Sequence, residues 1–228
     1  MYNPIYFRTD KYDLIANGTK WFTTTPDVAS KIDGADTYKA LNYVVLEEKA
    51  TGTRFIYVNL HLIVQSNNSY TDADGESYKI QQMQVAYLRA ILEDIQNTYG
   101  ELPMFIGGDF NNSFTNVSKW FNKTTVTYVE EAGLYDVNPD DAASITESVK
   151  VTAACDQAIN AIYSTKSCME SGVFDAEYTK GNPIDLWYTS NFDGIVHCYH
   201  IIDNLNKATG KYPSDHLPAK LYVTLYTD

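Results

Sequence analysis

Apolar residues recur at helical spacing in one stretch of the chain. Ile80, Met83, Tyr87, Leu88, Ile91, Leu92 and Ile95 predict a helix over residues 77–98, with Gly100 as its stop signal. Ahead of it the pattern is that of strands. Residues 42–47 and 53–62 are rich in Val, Ile, Phe and Tyr and read as two strands joined through Thr51-Gly52. Residues 4–8 and 11–16 are strand-like and Asn17-Gly18 is a turn signal, so the first segment reads as a hairpin. Residues 21–25 suggest a further strand, and the polar stretches 27–38 and 65–76 suggest loops. After the helix, the short apolar run 102–106 ends in Gly107-Gly108-Asp109-Phe110-Asn111. Residues 112–121 and 126–134 read as short helices, and residues 140–168, with many small side chains, give no clear pattern. Strands are expected again at 183–188, 194–202 and 218–226. There is no Pro/Ser-rich linker and no internal repeat, so residues 1–228 read as a single domain of mixed sheets and flanking helices.

Composition narrows the class. Of the 228 residues 44% are apolar and only 20% are charged, which excludes a disordered tail and a coiled coil. No apolar run approaches the length that spans a membrane. The first residues carry neither a basic nor an apolar leader region, so this chain as given holds no signal peptide. A net charge of −12 argues against a broad basic surface for nucleic acid, although a neutralised cleft is compatible with it. Cys155, Cys168 and Cys198 form no CxxC, which excludes a zinc ribbon; Cys155 and Cys168 bracket a small loop, and their disulfide state stays open.

Four polar clusters stand at the ends of predicted strands: Asn59/His61, Asp109/Asn111, Asp185 and Asp215/His216. A strand end that follows a helix is where α/β proteins place their chemistry. Each cluster alone is equally well a turn or a surface group. Together they suit phosphate-ester cleavage. Asp109, Asn111, Asp185 and Asp215 offer hard oxygen ligands for a divalent cation. Two histidines can stabilise developing charge and move protons near neutral pH, and a carboxylate beside a histidine fixes its tautomer. A phosphate-binding P-loop and a GxSxG nucleophile elbow are both absent from the sequence. Other groupings have plain structural readings. Strand alternation separates His197 from Cys198 and His200, and Asp72, Asp74 and Glu76 read as a solvated acidic loop rather than a Ca²⁺ site.

The order His61-Leu62, Gly108-Asp109-Phe110-Asn111, Ile184-Asp185 and Ser214-Asp215-His216-Leu217-Pro218 resembles the endonuclease/exonuclease/phosphatase superfamily over essentially the whole chain. The resemblance implies a deoxyribonuclease I-like fold of the α/β (α+β) kind, a four-layer sandwich in which two packed mixed β-sheets are flanked by helices. It implies a metal-dependent phosphoesterase acting on a phosphodiester or phosphomonoester by in-line attack of an activated water. In it Asp109 would orient or deprotonate the water and Asn111 would hold the phosphate and position Asp109. His216 would contact the scissile phosphate with Asp185 as its paired carboxylate. His61 would be the second phosphate-binding histidine and a proton donor to the leaving group. Asp215, with Asp109 and Asn111, would lie at the metal site. The implied cofactor is Mg²⁺, with Mn²⁺ or Ca²⁺ as alternatives. The substrate is left open among a small molecule, a nucleic acid and a lipid headgroup; a monomer is expected, in the cytoplasm or secreted.

The chain also departs from the pattern. Family members begin with a strand, a helix and a second strand ending in a metal-binding Glu, and Met1 falls after that place. Tyr2-Asn3-Pro4-Ile5-Tyr6 resembles the segment that follows, and Glu47 and Glu48 do not match the position of the Glu. The expectation is a chain lacking those elements. Either it is cut short, or another chain supplies the part, or it is a degenerate, non-catalytic binding relative. In any of the three it would be less stable than a complete member.

Overall fold

The computed structural model describes residues 3–64, 76–112, 116–117, 125–129, 134–138, 151–153, 158–159, 184–190, 192–201, 216 and 218–226. Its centre is a six-stranded sheet in the order β1-β2-β3-β4-β9-β7. The strands are β1 (Tyr12–Trp21), β2 (Ala40–Glu48), β3 (Arg54–His61), β4 (Met104–Asp109), β9 (Asp185–Ser190) and β7 (Val151–Ala153). Strands β1, β2 and β3 form an antiparallel meander. Strand β4 runs parallel to β3, because the helix α1 (Glu76–Tyr99) carries the chain back to the starting edge. Strands β9 and β7 then add antiparallel. A second sheet holds β11 (Ala219–Leu225), β10 (Gly194–Ile201) and β8 (Ala158–Ile159), and β5 (Thr125–Val129) pairs with β6 (Leu134–Asn138) as a separate ribbon.

The period-2 pattern of β3 divides its side chains between two faces. Ile56, Val58 and Leu60 are fully buried and join Met104 and Ile106 of β4 in a core with Leu88, Ile91, Leu92 and Ile95 of α1. Phe55, Tyr57, Asn59 and His61 point the other way and are half-buried. Burying a Leu or Ile side chain of this kind contributes about 1.5–3 kcal/mol. The apolar stripe therefore fixes both the register of β3 and which of its residues face the functional side.

Several sequence expectations hold closely: the helix, the strands at 42–47, 53–62, 183–188, 194–202 and 218–226, and the Thr51-Gly52 turn. Others are corrected. Asn17-Gly18 is not a turn, for β1 runs straight through both residues and pairs with β2 from Trp21↔Ala40 to Tyr12↔Glu48. Gly18 stands there because the Tyr43 ring lies where a Cβ would be, 2.5 Å from that position. Residues 4–8 are not a strand, and β1 ends at Trp21 instead of beginning a strand there. The expected helix at 126–134 is the β5–β6 hairpin, since Thr125-Val126-Thr127-Tyr128-Val129 is a run of β-branched and aromatic residues that favours a pleated surface. Of the expected helix at 112–121, only residues 116–117 are helical among those described. One long helix is present among the described residues, and they do not show the four-layer arrangement. Residues 65–75 and most of 139–183, including Cys155 and Cys168, lie outside them.

At Gly108 the backbone takes φ +143°, and a Cβ there would sit 2.1 Å from the Leu60 carbonyl oxygen. Neither strain nor clash can relax without parting β3 from β4. Gly108→Ala is expected to cost more than about 3 kcal/mol in urea unfolding. Gly52→Ala, at φ +74° with open space around it, should cost about 1 kcal/mol. Equal losses at the two positions would contradict this view of the β3–β4 pair.

Candidate functional site

Three strands end or begin at one level. Register pairs His61 with Asp109 across β3–β4, and Asp109 with Asp185 across β4–β9. The three residues stand in a row on the face away from α1. One level down, Asn59, Gly107 and Trp187 form the next row. A Cβ on Gly107 would meet the Trp187 ring at 3.0 Å, so its absence lets Trp187 lie across β4 and stack on Tyr57, with ring centroids 5.5 Å apart.

His216 joins the row from the segment before β11. Its Nδ1 is 2.7 Å from Asp185 Oδ2; with a carboxylate oxygen as acceptor Nδ1 is the donor, which leaves Nε2 directed elsewhere. A ligand atom from each of Asp109, Asp185 and His216 lies within 4.8 Å of the other two. A cavity of about 340 Å³ opens beside them, lined by Asn59, Asp185, Trp187 and His216 among others.

Asn111 braces the turn after β4. It sits at φ 51°, a left-handed conformation that Asn tolerates. Its backbone N–H donates to Asp109 Oδ1 at 2.8 Å, and its side-chain amide donates to the Leu62 carbonyl at 2.9 Å. Two residues that the sequence reading passed over complete the brace. Gln81 of α1 donates to the Ile63 carbonyl at 2.6 Å and the Asn111 carbonyl at 3.3 Å, and accepts from Asn112 at 2.9 Å. Gln84 accepts from the Ile63 N–H at 2.9 Å. Both are fully buried. The signal for them was present: two amides interrupt the apolar stripe of a buried helix, and buried amides require partners.

Electrostatics set His61 and Asp109 apart. Burial, then the positive charge of Lys39, pushes His61 down to about 4. Burial, then the like charge of Asp185, pushes Asp109 up to about 6 against the opposing Asn111 N–H. The approach of His61 Nε2 to Asp109 at 3.6 Å is therefore no ion pair at neutral pH, because the imidazole is uncharged there. Lys39, almost fully buried, was not singled out in the sequence.

Of the residues expected at the site, His61, Asp109, Asn111, Asp185 and His216 come together. Asp215 lies outside the described residues. Glu47 and Glu48 lie at the far end of β2, where Glu47 accepts from Arg54 at 2.6 Å, so neither reaches the row. His197 falls at a register shift between β10 and β11 and meets Thr224 Oγ1 at 2.8 Å; the side chains of Cys198 and His200 lie outside the described residues. So do those of Asp72, Asp74 and Glu76.

No family model matches the chain, and no curated protein matches it. Solved structures do. The mannosyl-6-phosphatase of Bacteroides thetaiotaomicron VPI-5482 superposes with a TM-score of 0.66 at 21% identity, covering 96% of this chain and 69% of that one. An endonuclease/exonuclease/phosphatase family protein from Bacteroides thetaiotaomicron gives a TM-score of 0.67 at 21% identity, over 96% of this chain and 66% of that one. The chain has the deoxyribonuclease I-like fold. The human Nocturnin catalytic domain, solved with a bound sulfate anion, shares this fold at a TM-score of 0.53 and 16% identity, over 95% of this chain and 62% of that one. The chain thus spans about two thirds of the length of these deoxyribonuclease I-like neighbours.

The two shifted groups act oppositely on stability. Asp109 keeps its proton to higher pH in the fold than its ordinary 3.8, so its contribution is present below that value and is lost as pH rises through about 6. His61 stays uncharged below its ordinary 6.5, so its contribution is present above that value and is lost as pH falls through about 4. In the wild type the two oppose each other over this window. His61→Gln removes one arm, and its stability relative to wild type should fall as pH rises from about 4 to 6.5. Asp109→Asn removes the other, and its relative stability should fall as pH drops from about 6 to 3.8. Urea midpoints across the window check both, and differences independent of pH would contradict the assignment.

Proposed function

We propose that this chain is a metal-dependent phosphoesterase of the endonuclease/exonuclease/phosphatase superfamily, hydrolysing a phosphodiester or phosphomonoester with an activated water. The observation that carries the reading is the row His61–Asp109–Asp185 across three adjacent strands, closed by the 2.7 Å Asp185–His216 bond. The fold is that of a phosphatase and of a sulfate-binding Nocturnin domain, which supports a site built for a tetrahedral anion.

Asp109 is the base. A carboxylate pushed to about 6 can take a proton from water near neutral pH while remaining largely ionised. Asn111, Gln81 and Gln84 hold the turn that carries it. Asp185 fixes His216 with Nδ1 protonated, so that Nε2 faces the phosphate. His61, kept neutral, serves as a hydrogen-bonding contact to the phosphate; its shifted value favours this over the proton-donor role implied by the resemblance.

The donor set fits a hard divalent cation. Asp109 would hold it, with the Asp185–His216 pair beside it, and the repulsion that raises Asp109 is the kind a cation relieves. Bound Mg²⁺, or Mn²⁺ or Ca²⁺, would polarise the phosphoryl oxygens and stabilise the charge that develops there. Asp215 and Asn111 complete the set that the resemblance implies.

His216→Ala should lower kcat/KM on bis(p-nitrophenyl) phosphate or p-nitrophenyl phosphate by about 10²–10⁴-fold. EDTA should abolish turnover and Mg²⁺ restore it, and kcat/KM with Mg²⁺ should rise with pH as Asp109 loses its proton, with a midpoint below about 6 because the cation relieves the repulsion that raises it. The better of the two esters tells diesterase from monoesterase. A folded chain that binds phosphate without turnover in any metal would overturn hydrolysis and leave a binding protein.

A further inference from the structure

We propose that Lys39 is the positioning residue that gives this site its fixed positive charge and makes it able to hold a phosphate anion. The inference rests on the phosphoesterase reading above and adds a residue outside its motifs.

Lys39 directly precedes β2, and Leu41, two residues on, pairs with Leu60. The chain at Lys39 therefore runs beside the end of β3, the level at which His61 and Asp109 stand. Its backbone is anchored there, for the Lys39 carbonyl accepts from the Phe22 N–H at 3.3 Å. The side chain is only 6% exposed, which is rare for a lysine without electrostatic compensation. That compensation is present, since the carboxylates of Asp109 and Asp36 act on its ammonium against the cost of burial. The same charge acts on His61 and on Asp109.

The site needs such a charge. The chain carries −12 overall, and the row itself holds two carboxylates, Asp109 and Asp185. A phosphate ester approaching them meets like charge. A buried ammonium acts through a medium of low dielectric and is screened little by salt, so its field at the row is larger and more constant than that of a surface lysine. Lys39 offsets Asp109 and so lowers the negative charge that the anion meets at the row, acting through the row rather than by touching the reacting atoms.

The test is the affinity for inorganic phosphate, by calorimetric titration without metal and again with Mg²⁺. It compares wild type, the neutral variants Lys39→Met and Lys39→Gln, and Lys39→Arg. One neutral variant is apolar and the other polar, so either one that folds suffices. The expected result is at least tenfold weaker phosphate binding in the neutral variants, with near-UV circular dichroism unchanged. Lys39→Arg should stay within about threefold of wild type. In turnover, KM should rise in the same proportion while kcat changes less. A folded neutral variant that binds phosphate like wild type, or a wild-type chain that binds no phosphate, would overturn the inference. Lys39-dependent binding without hydrolysis would sink the phosphoesterase reading and leave this one standing. Hydrolysis with KM unchanged in the neutral variants would do the reverse.

Discussion

Strand β4 is gripped on both sides, by β3 in parallel and by β9 antiparallel, and the polar row exists only because of that grip. A parallel pair needs a long crossover, and α1 supplies it. The buried stripe Ile56, Val58 and Leu60 sets the register, so a slip of one residue would turn His61 into the core and Leu60 toward the site. Gly107 and Gly108 permit the close approach. One admits the Trp187 ring and the other admits the backbone of β3. The chemistry of the site is in this sense a property of strand pairing, with α1 contributing twice, through its apolar face and through the amides of Gln81 and Gln84.

Burial does the rest, and it works in opposite directions on two neighbours. The same desolvation that strips the proton from His61 holds one on Asp109, so an acid and a base of ordinary strength become a neutral imidazole and a carboxyl that titrates near 6. Their proximity at 3.6 Å would suggest a salt bridge on distance alone. The charges decide otherwise. Like charge on Asp185 and opposite charge on Lys39 then adjust Asp109.

Much of this was legible in the sequence. The helix showed itself by period, the strands by β-branched and aromatic runs, and the polar row by His61, Asp109, Asp185 and His216. What failed did so for identifiable reasons. Asn17-Gly18 has the composition of a turn, but the glycine answers a tertiary demand, the Tyr43 ring across the sheet, that no local rule sees. The β5–β6 hairpin was misread because short apolar runs do not distinguish strand from helix by periodicity. Lys39 carried no signal at all, since its role depends on burial at the end of a strand. The Gln81 and Gln84 signal was there and was outweighed by the apolar stripe around it.

The most direct measurement of whether the row acts as one site is a double-mutant cycle on kcat/KM with Asp185→Asn and His216→Ala. If Asp185 works only by holding His216 through the 2.7 Å bond, the double variant should be no slower than His216→Ala alone. Losses that multiply would mean that the two residues act independently, and the account of the site as a carboxylate–histidine pair set beside Asp109 would be wrong.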